Sequence, residues 1–492
     1  ASTPLPAIAE FGIGGPTRLL PVYGGGLRWL DPASGVMSGD AFTAPRSGLF
    51  LDAGGAAICV CVEQPWADDR LVTRVTLRRY AASGQEVART TLYELESTLR
   101  GGFGDAIDVQ AAIAPDGSHL WISHAVRQAD RWDLGVDRID VASMAVDVSL
   151  SLPPIQIPSG SGDSTLVTPD GWITHEKTVV RAGVRVSPDA ARISVVLGAQ
   201  GDPRAAAATP AFQAARYDID STLAPGSAIE VTTPPHDASD DPCDLELSAW
   251  ATNRHFITIC SRPDGSGTQP YVRIERAGDI VREVTVGPPV GARDTEWLLD
   301  AGEGALYRWS TLAHVFSRLD VADRTMSTLA LDWSQAGTGD VGTWPQRDDA
   351  QVSFGTLAGF DLVLRPPRMA RSPDGSLVYA LGYRGVADDL RDDRIASTGI
   401  WVLDARRAEL VAHWAPDALY DEIGFTPGAE RLVTIALAGV DANGVAADWS
   451  SSMRFHDPRT GTVDEVLGDV VDSSGFVPSL LVPNAPRGIA GF

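Results

Sequence analysis

Short apolar runs alternate with turn motifs along the whole chain, and two repeated units account for most of this pattern. The first unit is a Pro-Asp-Gly-type turn that leads into an apolar strand, as in Ala114-Pro115-Asp116-Gly117 before Leu120-Trp121-Ile122. Further copies begin at Ser187, Ser372 and Thr426. Because proline presets one backbone dihedral and glycine accepts positive φ, this unit predicts a tight turn between two strands.

The second unit is a strand that ends in an acidic residue and a turn, usually with an arginine before the apolar residues. Copies stand at Arg28-Trp29-Leu30-Asp31, Arg138-Ile139-Asp140, Arg216-Tyr217-Asp218, Arg273-Ile274-Glu275, Arg318-Leu319-Asp320, Trp401-Val402-Leu403-Asp404 and Arg454-Phe455-His456-Asp457, with a weaker copy that lacks the acid at Arg79-Tyr80. Each copy is followed by another β-rich run, which predicts a hairpin whose turn is capped by the acid.

The regular alternation of the two units predicts an all-β fold, specifically a β-propeller. The acids recur at an average interval of about 61 residues, enough for one four-stranded blade with its loops. Eight blades are favoured and seven are the alternative. The N-terminal hairpin at 27–37 lacks an innermost strand, and the apolar run at 476–482 lacks a hairpin. We therefore expect the two ends to share a blade and close the ring.

The same pattern predicts one domain over residues 1–492, with inserts on the blade rims near 154–182 and 332–350. An open row of hairpins or two stacked sandwiches would give less regular spacing and leave sheet edges exposed.

The turn motifs resemble those of two families of bacterial propellers. The Ser-Pro-Asp-Gly-Ser-Leu-Val-Tyr run at 372–379 resembles the blade repeat of TolB-type propellers. The runs Asp-Pro-Arg-Thr-Gly at 457–461 and Asp-Pro-Ala-Ser-Gly at 31–35 resemble the strand turn of quinoprotein-type propellers. The second resemblance implies pyrroloquinoline quinone on the propeller axis, with calcium and a catalytic Asp. Only Trp414 stands near a place where that family has its repeated tryptophan, and no cofactor is predicted.

Charge narrows the range of partners. The net charge is −24, and Lys177 is the only lysine. An acidic surface repels phosphate backbones and anionic lipids, so we expect protein partners and no nucleic acid. No run of 18 apolar residues is present, so no membrane span is predicted. The chain starts at Ala1, which favours an exported protein that is periplasmic, on the cell surface or secreted.

The four cysteines are expected to be of two kinds. Cys243 and Cys260 flank a predicted strand-turn-strand unit and are a candidate disulfide. Cys59 and Cys61 are two residues apart on one strand, at an expected separation of about 7 Å, and are predicted to be buried and free. The spacing of the four does not fit the common zinc patterns.

Two further groups of residues are candidate sites. Asp441, Asn443 and Asp448 surround a glycine turn and resemble half a calcium loop, with an ordinary Asn-Gly hairpin turn as the alternative. Trp172, Trp333 and Trp344 lie in the predicted inserts and are candidate anchors for a protein partner. No catalytic residues are predicted, because the histidines form no metalloprotease pair and no nucleophile motif occurs.

The sequence thus favours an extracytoplasmic, non-catalytic propeller that acts as a protein-binding or assembly subunit. The alternative is an enzyme or enzyme subunit that uses the axial cavity, either a quinone-dependent dehydrogenase or a calcium-dependent hydrolase.

Overall fold

The structure is a computed structural model. It describes residues 20–23, 27–30, 37–38, 48–51, 56–63, 66–67, 70–81, 85–96, 107–128, 131–156, 165–167, 173–175, 179–200, 213–231, 243–263, 268–276, 279–286, 295–311, 313–332, 341–343, 352–353, 361–362, 368–372, 374–385, 394–416, 418–425, 431–437, 451–467, 479–480 and 490–491. Every regular element in these residues is a β-strand.

The strands form antiparallel sheets of consecutive segments. One sheet has β1 Leu20–Tyr23, β2 Leu27–Leu30, β3 Met37–Ser38 and β38 Ser479–Leu480, in the order β3-β2-β1-β38. The next has β4 Gly48–Leu51, β5 Ala57–Glu63, β6 Trp66–Ala67, β7 Arg70–Tyr80 and β8 Glu86–Glu96, with β5, β6 and β8 all paired to β7. A third has β9 Ile107–Ile113, β10 His119–Arg127, β11 Arg131–Asp140 and β12 Ala145–Gln156 in chain order.

Two sheets follow with the same simple order. The first has β15 Val179–Val186, β16 Arg192–Gln200, β17 Gln213–Asp220 and β18 Ile229–Val231. The second has β19 Cys243–Trp250, β20 Phe256–Pro263, β21 Thr268–Arg276 and β22 Asp279–Thr285.

The remaining sheets include two that gain a fifth strand. The first has β23 Thr295–Asp300, β24 Ala305–Ser310, β25 Val315–Asp320 and β26 Thr325–Ala330, and β39 Ala490–Gly491 pairs parallel to β23. The second has β30 Met369–Arg371, β31 Leu377–Gly385, β32 Arg394–Asp404, β33 Glu409–Trp414 and, also on β32, β27 Val341–Thr343. The last has β34 Leu419–Phe425, β35 Leu432–Leu437, β36 Ser451–His456 and β37 Val463–Leu467.

Two strand pairs lie outside these sheets. They are β13 Thr165–Val167 with β14 Ile173–His175, and β28 Val352–Ser353 with β29 Asp361–Leu362. The first pair lies within the predicted insert at 154–182, whose ends overlap β12 and β15. β27 lies within the predicted insert at 332–350.

Successive sheets pack face to face around their first strands. β4 lies against β9, β9 against β15, β15 against β19, β23 against β30, β30 against β34, and β34 against β38. The fourth strands lie farthest out, and β22 and β26 are mostly exposed while β24 is wholly buried. First strands together at the centre and fourth strands outside are the arrangement of a β-propeller.

Hydrophobic clusters fill the interfaces between successive sheets from the β4–β8 sheet to the β34–β37 sheet. Ile122 and Val136 show the principle, because Ile122 packs towards the β4–β8 sheet and Val136 towards the β15–β18 sheet. Further clusters join the β19–β22 sheet to the β23–β26 sheet, that sheet to the β30–β33 sheet, and the latter to the β34–β37 sheet. Each sheet therefore depends on its neighbours for burial.

Aspartates cap the hairpin turns between third and fourth strands, as the sequence predicts. The Oδ1 atom of Asp140 accepts hydrogen bonds from the Ser143 amide and hydroxyl, both at 2.7 Å. Asp320, Asp404 and Asp457 likewise accept backbone amides two or three residues on. The prediction is wrong at two places. Asp220 caps the turn after β17 in place of Asp218, and Glu275 joins an ion pair instead.

We expect Asp140→Ala to destabilise the protein by about 1 kcal/mol, because two hydrogen bonds to the turn are lost. The Ser143 hydrogen bonds hold the pKa of Asp140 below its ordinary value. The Asp140 carboxylate therefore stabilises the folded state at pH values above the unfolded-state pKa of this group. This stabilisation is lost as the pH falls through the folded-state pKa. Urea titrations at pH 7 and pH 3 measure both effects. Asp140→Asn keeps an acceptor and is the control; an equal loss in both variants would contradict a capping role.

Candidate functional site

The structure leaves most of the sequence-predicted site residues undescribed. Outside the described residues lie Trp172, Trp333, Trp344, Asp441, Asn443 and Asp448. The calcium loop and the tryptophan anchors therefore stay predictions.

The cysteines on β5 differ from expectation. Cys59 and Cys61 are fully buried and form a disulfide, with their Cα atoms 5.6 Å apart. The expected separation of about 7 Å assumed a fully extended strand, whereas 5.6 Å lies within the range that a disulfide spans. The prediction that these two thiols are free is wrong.

The second cysteine pair lies across two adjacent strands. Cys243 on β19 and Cys260 on β20 are Cα partners in the register of this antiparallel pair. Cys260 is disulfide-bonded. That its partner is Cys243 stays a prediction, which thiol counting addresses below.

The interfaces between sheets contain buried ion pairs, and the first centres on Arg216 of β17. Its guanidinium donates to Asp218 at 3.0 and 3.1 Å and to Glu275 of β21 at 2.5 Å. It also lies 4.2 Å from the centre of the Phe256 ring. Burial raises the pKa of Glu275, and the charge of Arg216 opposes that rise. The arginine thus joins the β15–β18 sheet to the β19–β22 sheet.

A second buried pair joins the β23–β26 sheet to the β30–β33 sheet. Arg371 on β30 lies 2.6 Å from Asp300 at the end of β23, and both side chains are almost fully buried. Arg371 also donates to the Gly375 carbonyl. Gly375 has φ +70°, and an added Cβ would collide with the guanidinium. Burial raises the pKa of Asp300, while Arg371 opposes the rise.

A third cluster lies at the first strands of three consecutive sheets, close to the propeller axis. Arg368 precedes β30 and stands 3.8 Å from Glu296 of β23 and 3.9 Å from Asp421 of β34. Asp421 is the extra residue of a β-bulge, which re-aims its side chain relative to the regular pleat. The ring of Tyr383 lies 5.6 Å from the guanidinium carbon, and burial raises the pKa of its hydroxyl.

This axial cluster is the best candidate ligand site in the described part of the chain. Its charges face one another, so the geometry suits holding three sheets together at least as well as binding a ligand. Among the described residues, no group of three or more His, Cys, Asp or Glu side chains is arranged to hold a metal ion. The described residues also contain no helix long and apolar enough to cross a membrane.

Histidines also lie in the interfaces. His314 is fully buried, and its Nε2 is 2.8 Å from the Thr398 hydroxyl. His124 is partly exposed, with Nδ1 3.4 Å from Asp137 and its ring beside Tyr93. Each makes contacts between neighbouring strands or sheets, which fits packing roles.

The exposed surface has a repeated feature at the outermost strands. The large apolar residues that are exposed in the described chain all lie on those strands: Val87, Val146, Ile229, Ile280, Met326, Leu410, Val411 and Val466. Five of these strands carry such a residue at their second position, directly after the hairpin turn. The apolar side chains therefore recur at one height round the rim.

The chain was compared with known proteins. No family model matches it, and no curated protein matches it. Among solved structures, dihydro-heme d1 dehydrogenase NirN in complex with DHE is 11% identical, with a TM-score of 0.44 over 94% of this chain and 75% of the other. The Dos1 propeller is 11% identical, with a TM-score of 0.36 over 84% and 83%.

TolB from Acinetobacter baumannii is 13% identical, with a TM-score of 0.26, and the match covers 86% of this chain and 81% of the TolB chain. The neighbours are β-propeller proteins, in agreement with the family resemblance of the turn motifs. All three TM-scores lie below 0.5, so the propeller assignment rests on the strand pairing and sheet packing of this chain.

We expect no free thiols under denaturing, non-reducing conditions, because the Cys59–Cys61 bridge and the predicted Cys243–Cys260 bridge would both be retained. Reaction with a thiol reagent followed by mass measurement gives the count. Two free thiols would contradict either the Cys59–Cys61 bridge or the Cys243–Cys260 pairing. Peptide mapping of the non-reduced protein would then show which.

We expect Arg371→Met to destabilise the protein by about 3–5 kcal/mol, because it leaves the Asp300 carboxylate buried beside no cation. Without Arg371 the folded-state pKa of Asp300 rises further. A carboxyl group whose pKa is raised in the folded state favours folding at pH values below its unfolded-state pKa. That stability is lost as the pH rises through the folded-state pKa. The variant should therefore be less impaired at pH 5 than at pH 8.

Denaturant midpoints across that pH range provide the measurement. Adding Asp300→Asn should recover part of the loss. Arg406 pairs with Glu303 at the surface, so Arg406→Met should leave the midpoint nearly unchanged and is the matched control. Equal losses in the two arginine variants would show that the buried pair has no special weight.

Proposed function

We propose that this protein is an extracytoplasmic, non-catalytic β-propeller that binds other protein chains and serves as a subunit of a larger assembly. The observation that carries the proposal is the repeated exposed apolar position on the outermost strands. Apolar side chains at one height on neighbouring blades can be contacted together by a partner that follows the rim.

The architecture proposed for this role is a closed ring of eight blades. Five sheets of four strands and three sheets of five strands occur in the described residues. β38 supplies the first strand of the sheet that contains β1–β3, and it lies against β34 of the preceding sheet. A sheet completed by strands from both parts of the chain would close the ring and give a rigid disc.

The interior supports a structural role better than a catalytic one. The buried arginines lie against carboxylates of neighbouring sheets, so their charges are used between blades. In addition, β39 pairs with β23 on the axial side, where a ligand of an axial enzyme would lie. Disulfide-bonded cysteines fit an oxidising compartment outside the cytoplasm.

The sequence-predicted residues add to this proposal. We propose that the inserts near 154–182 and 332–350 lie on the rim with Trp172, Trp333 and Trp344 as partner anchors. We further propose that Asp441, Asn443 and Asp448 form a surface loop able to take calcium.

The test uses neighbouring exposed residues on β33. Leu410→Asp with Val411→Asp should weaken association by about 2 kcal/mol or more if these side chains are anchors, since carboxylates cannot be desolvated there. The native mass and yield of the assembly purified from the source organism are compared for wild type and variant. Glu409→Gln on the same strand is the control, and circular dichroism checks the fold. An assembly of unchanged mass and yield would contradict a role for the rim.

A further inference from the structure

β26 differs from the other long outermost strands in having no charge. Its six residues are Thr325, Met326, Ser327, Thr328, Leu329 and Ala330, and all but Leu329 are exposed. In the described part of the chain, β26 pairs only with β25. A sheet edge of this kind presents a row of backbone donors and acceptors to which another strand can add.

The other outermost strands have the features that normally block such pairing. β8, β22, β33 and β37 each carry acidic residues, and β8 and β22 carry arginines as well. β12 contains Asp147, Pro153 and Pro154. Charges and prolines on an edge prevent strand addition, because a partner would have to desolvate the charge or lose ladder hydrogen bonds. β26 alone among these strands lacks this protection.

We propose that β26 is the site at which a second copy of this chain binds, by antiparallel pairing of the two β26 strands across a two-fold axis. Two copies, each with a net charge of −24, repel one another over most of their surfaces. The repulsion between the two copies is smallest where the contact surface carries no charge. It is also screened between charges that lie farther apart than the Debye length, about 8 Å at physiological salt. β26 provides a contact surface without charge.

Antiparallel geometry restricts the register of such a pair. Residues directly opposite one another either exchange both hydrogen bonds or exchange none, and the two kinds alternate along a strand. For two identical strands the two-fold axis must therefore pass through a residue position. An axis at Thr328 sets Met326 opposite Ala330 of the second copy, and Thr328 opposite its own equivalent.

The same register brings opposite charges together at both ends of the contact. If the register with the axis at Thr328 is continued one residue before β26 and two residues after it, Arg324 of the turn comes level with Asp332 of the second copy, and the reverse pair lies at the other end. Moving the axis to Ser327 would place Ala322 opposite Asp332 and lose both charge pairs. Charge complementarity thus selects Thr328 as the central residue.

The expected dimer is weak, because a six-residue strand pair buries much less than the 1,200–2,000 Å² or so of typical stable interfaces. We expect it to form and dissociate with concentration. This inference is independent of the proposed function, because the dimer forms through β26 whereas the rim test changes β33 on a different sheet. It requires no heterologous partner.

The test places charges at the two-fold axis. Thr328→Lys sets two lysines opposite each other, and Thr328→Glu sets two glutamates, so each variant alone should self-associate at least tenfold more weakly than wild type. A mixture of the two should dimerise again, because lysine then faces glutamate. Sedimentation velocity over a concentration series of the full chain measures all three. Ile280→Lys on β22 adds the same charge to another outermost strand and should leave self-association unchanged.

The outcomes are distinct from those of the rim test. A wild-type protein that stays monomeric at the highest concentration would overturn the inference, as would a mixture that dimerises no better than either variant. Should a charged variant fail to fold, Thr328→Cys provides a second measurement. Oxidation should link two copies through this added cysteine, and exclusively monomeric product would overturn the two-fold register.

Discussion

Burial of a sheet against neighbours on both of its faces is the constraint on which this structure depends. The β9–β12 sheet illustrates it, because Leu120 and Ile122 face one neighbouring sheet while Trp121 and Val136 face the other. A four-stranded sheet with two apolar faces cannot be stable alone, since each face must be removed from water. The repeat is therefore stable only as a series, and the stability of each sheet is coupled to that of its neighbours.

The same interfaces carry charges, and this limits what the interior can do. Arg216 reaches from β17 to Glu275 of the next sheet, and Arg371 reaches from β30 to Asp300 of the preceding one. Such pairs add little net stability when compared with apolar packing, but removing one partner is costly because the other charge remains buried. The pairs thus favour one arrangement of neighbouring sheets over others, and the proposed contacts of the protein lie on its outer strands.

Much of the fold could be predicted from local sequence because turns are local. Asp140, Asp404 and Asp457 cap the turns that their positions indicate, since an Asp side chain reaches only the next few amides. Asp218 and Glu275 occupy the same place in the sequence pattern and yet pair with Arg216, which is on the same strand as Asp218 and on a different sheet from Glu275. No local pattern reports the partner of Glu275, which is 59 residues away in the chain.

The candidate site was less predictable for the same reason. Arg368, Glu296 and Asp421 come from three sheets, and nothing in the residues around any one of them indicates the others. The Cys59–Cys61 bridge was missed for a different reason, because ideal strand geometry overstates the separation by more than 1 Å. The uncharged edge of β26 is visible in sequence only after its place as an outermost strand is known.

The pairing of β38 with β1 has a consequence for the order of events during biosynthesis. β1 pairs with Ser479–Leu480, so the sheet that contains β1–β3 lacks this strand until those residues have been synthesised. Intervening sheets can form from local hairpins in the meantime, whereas this contact closes the longest loop among the described strand pairs. The pairing of β38 with β1 therefore forms only after the local hairpins of the intervening sheets have been synthesised, and it fixes the N-terminal hairpin late.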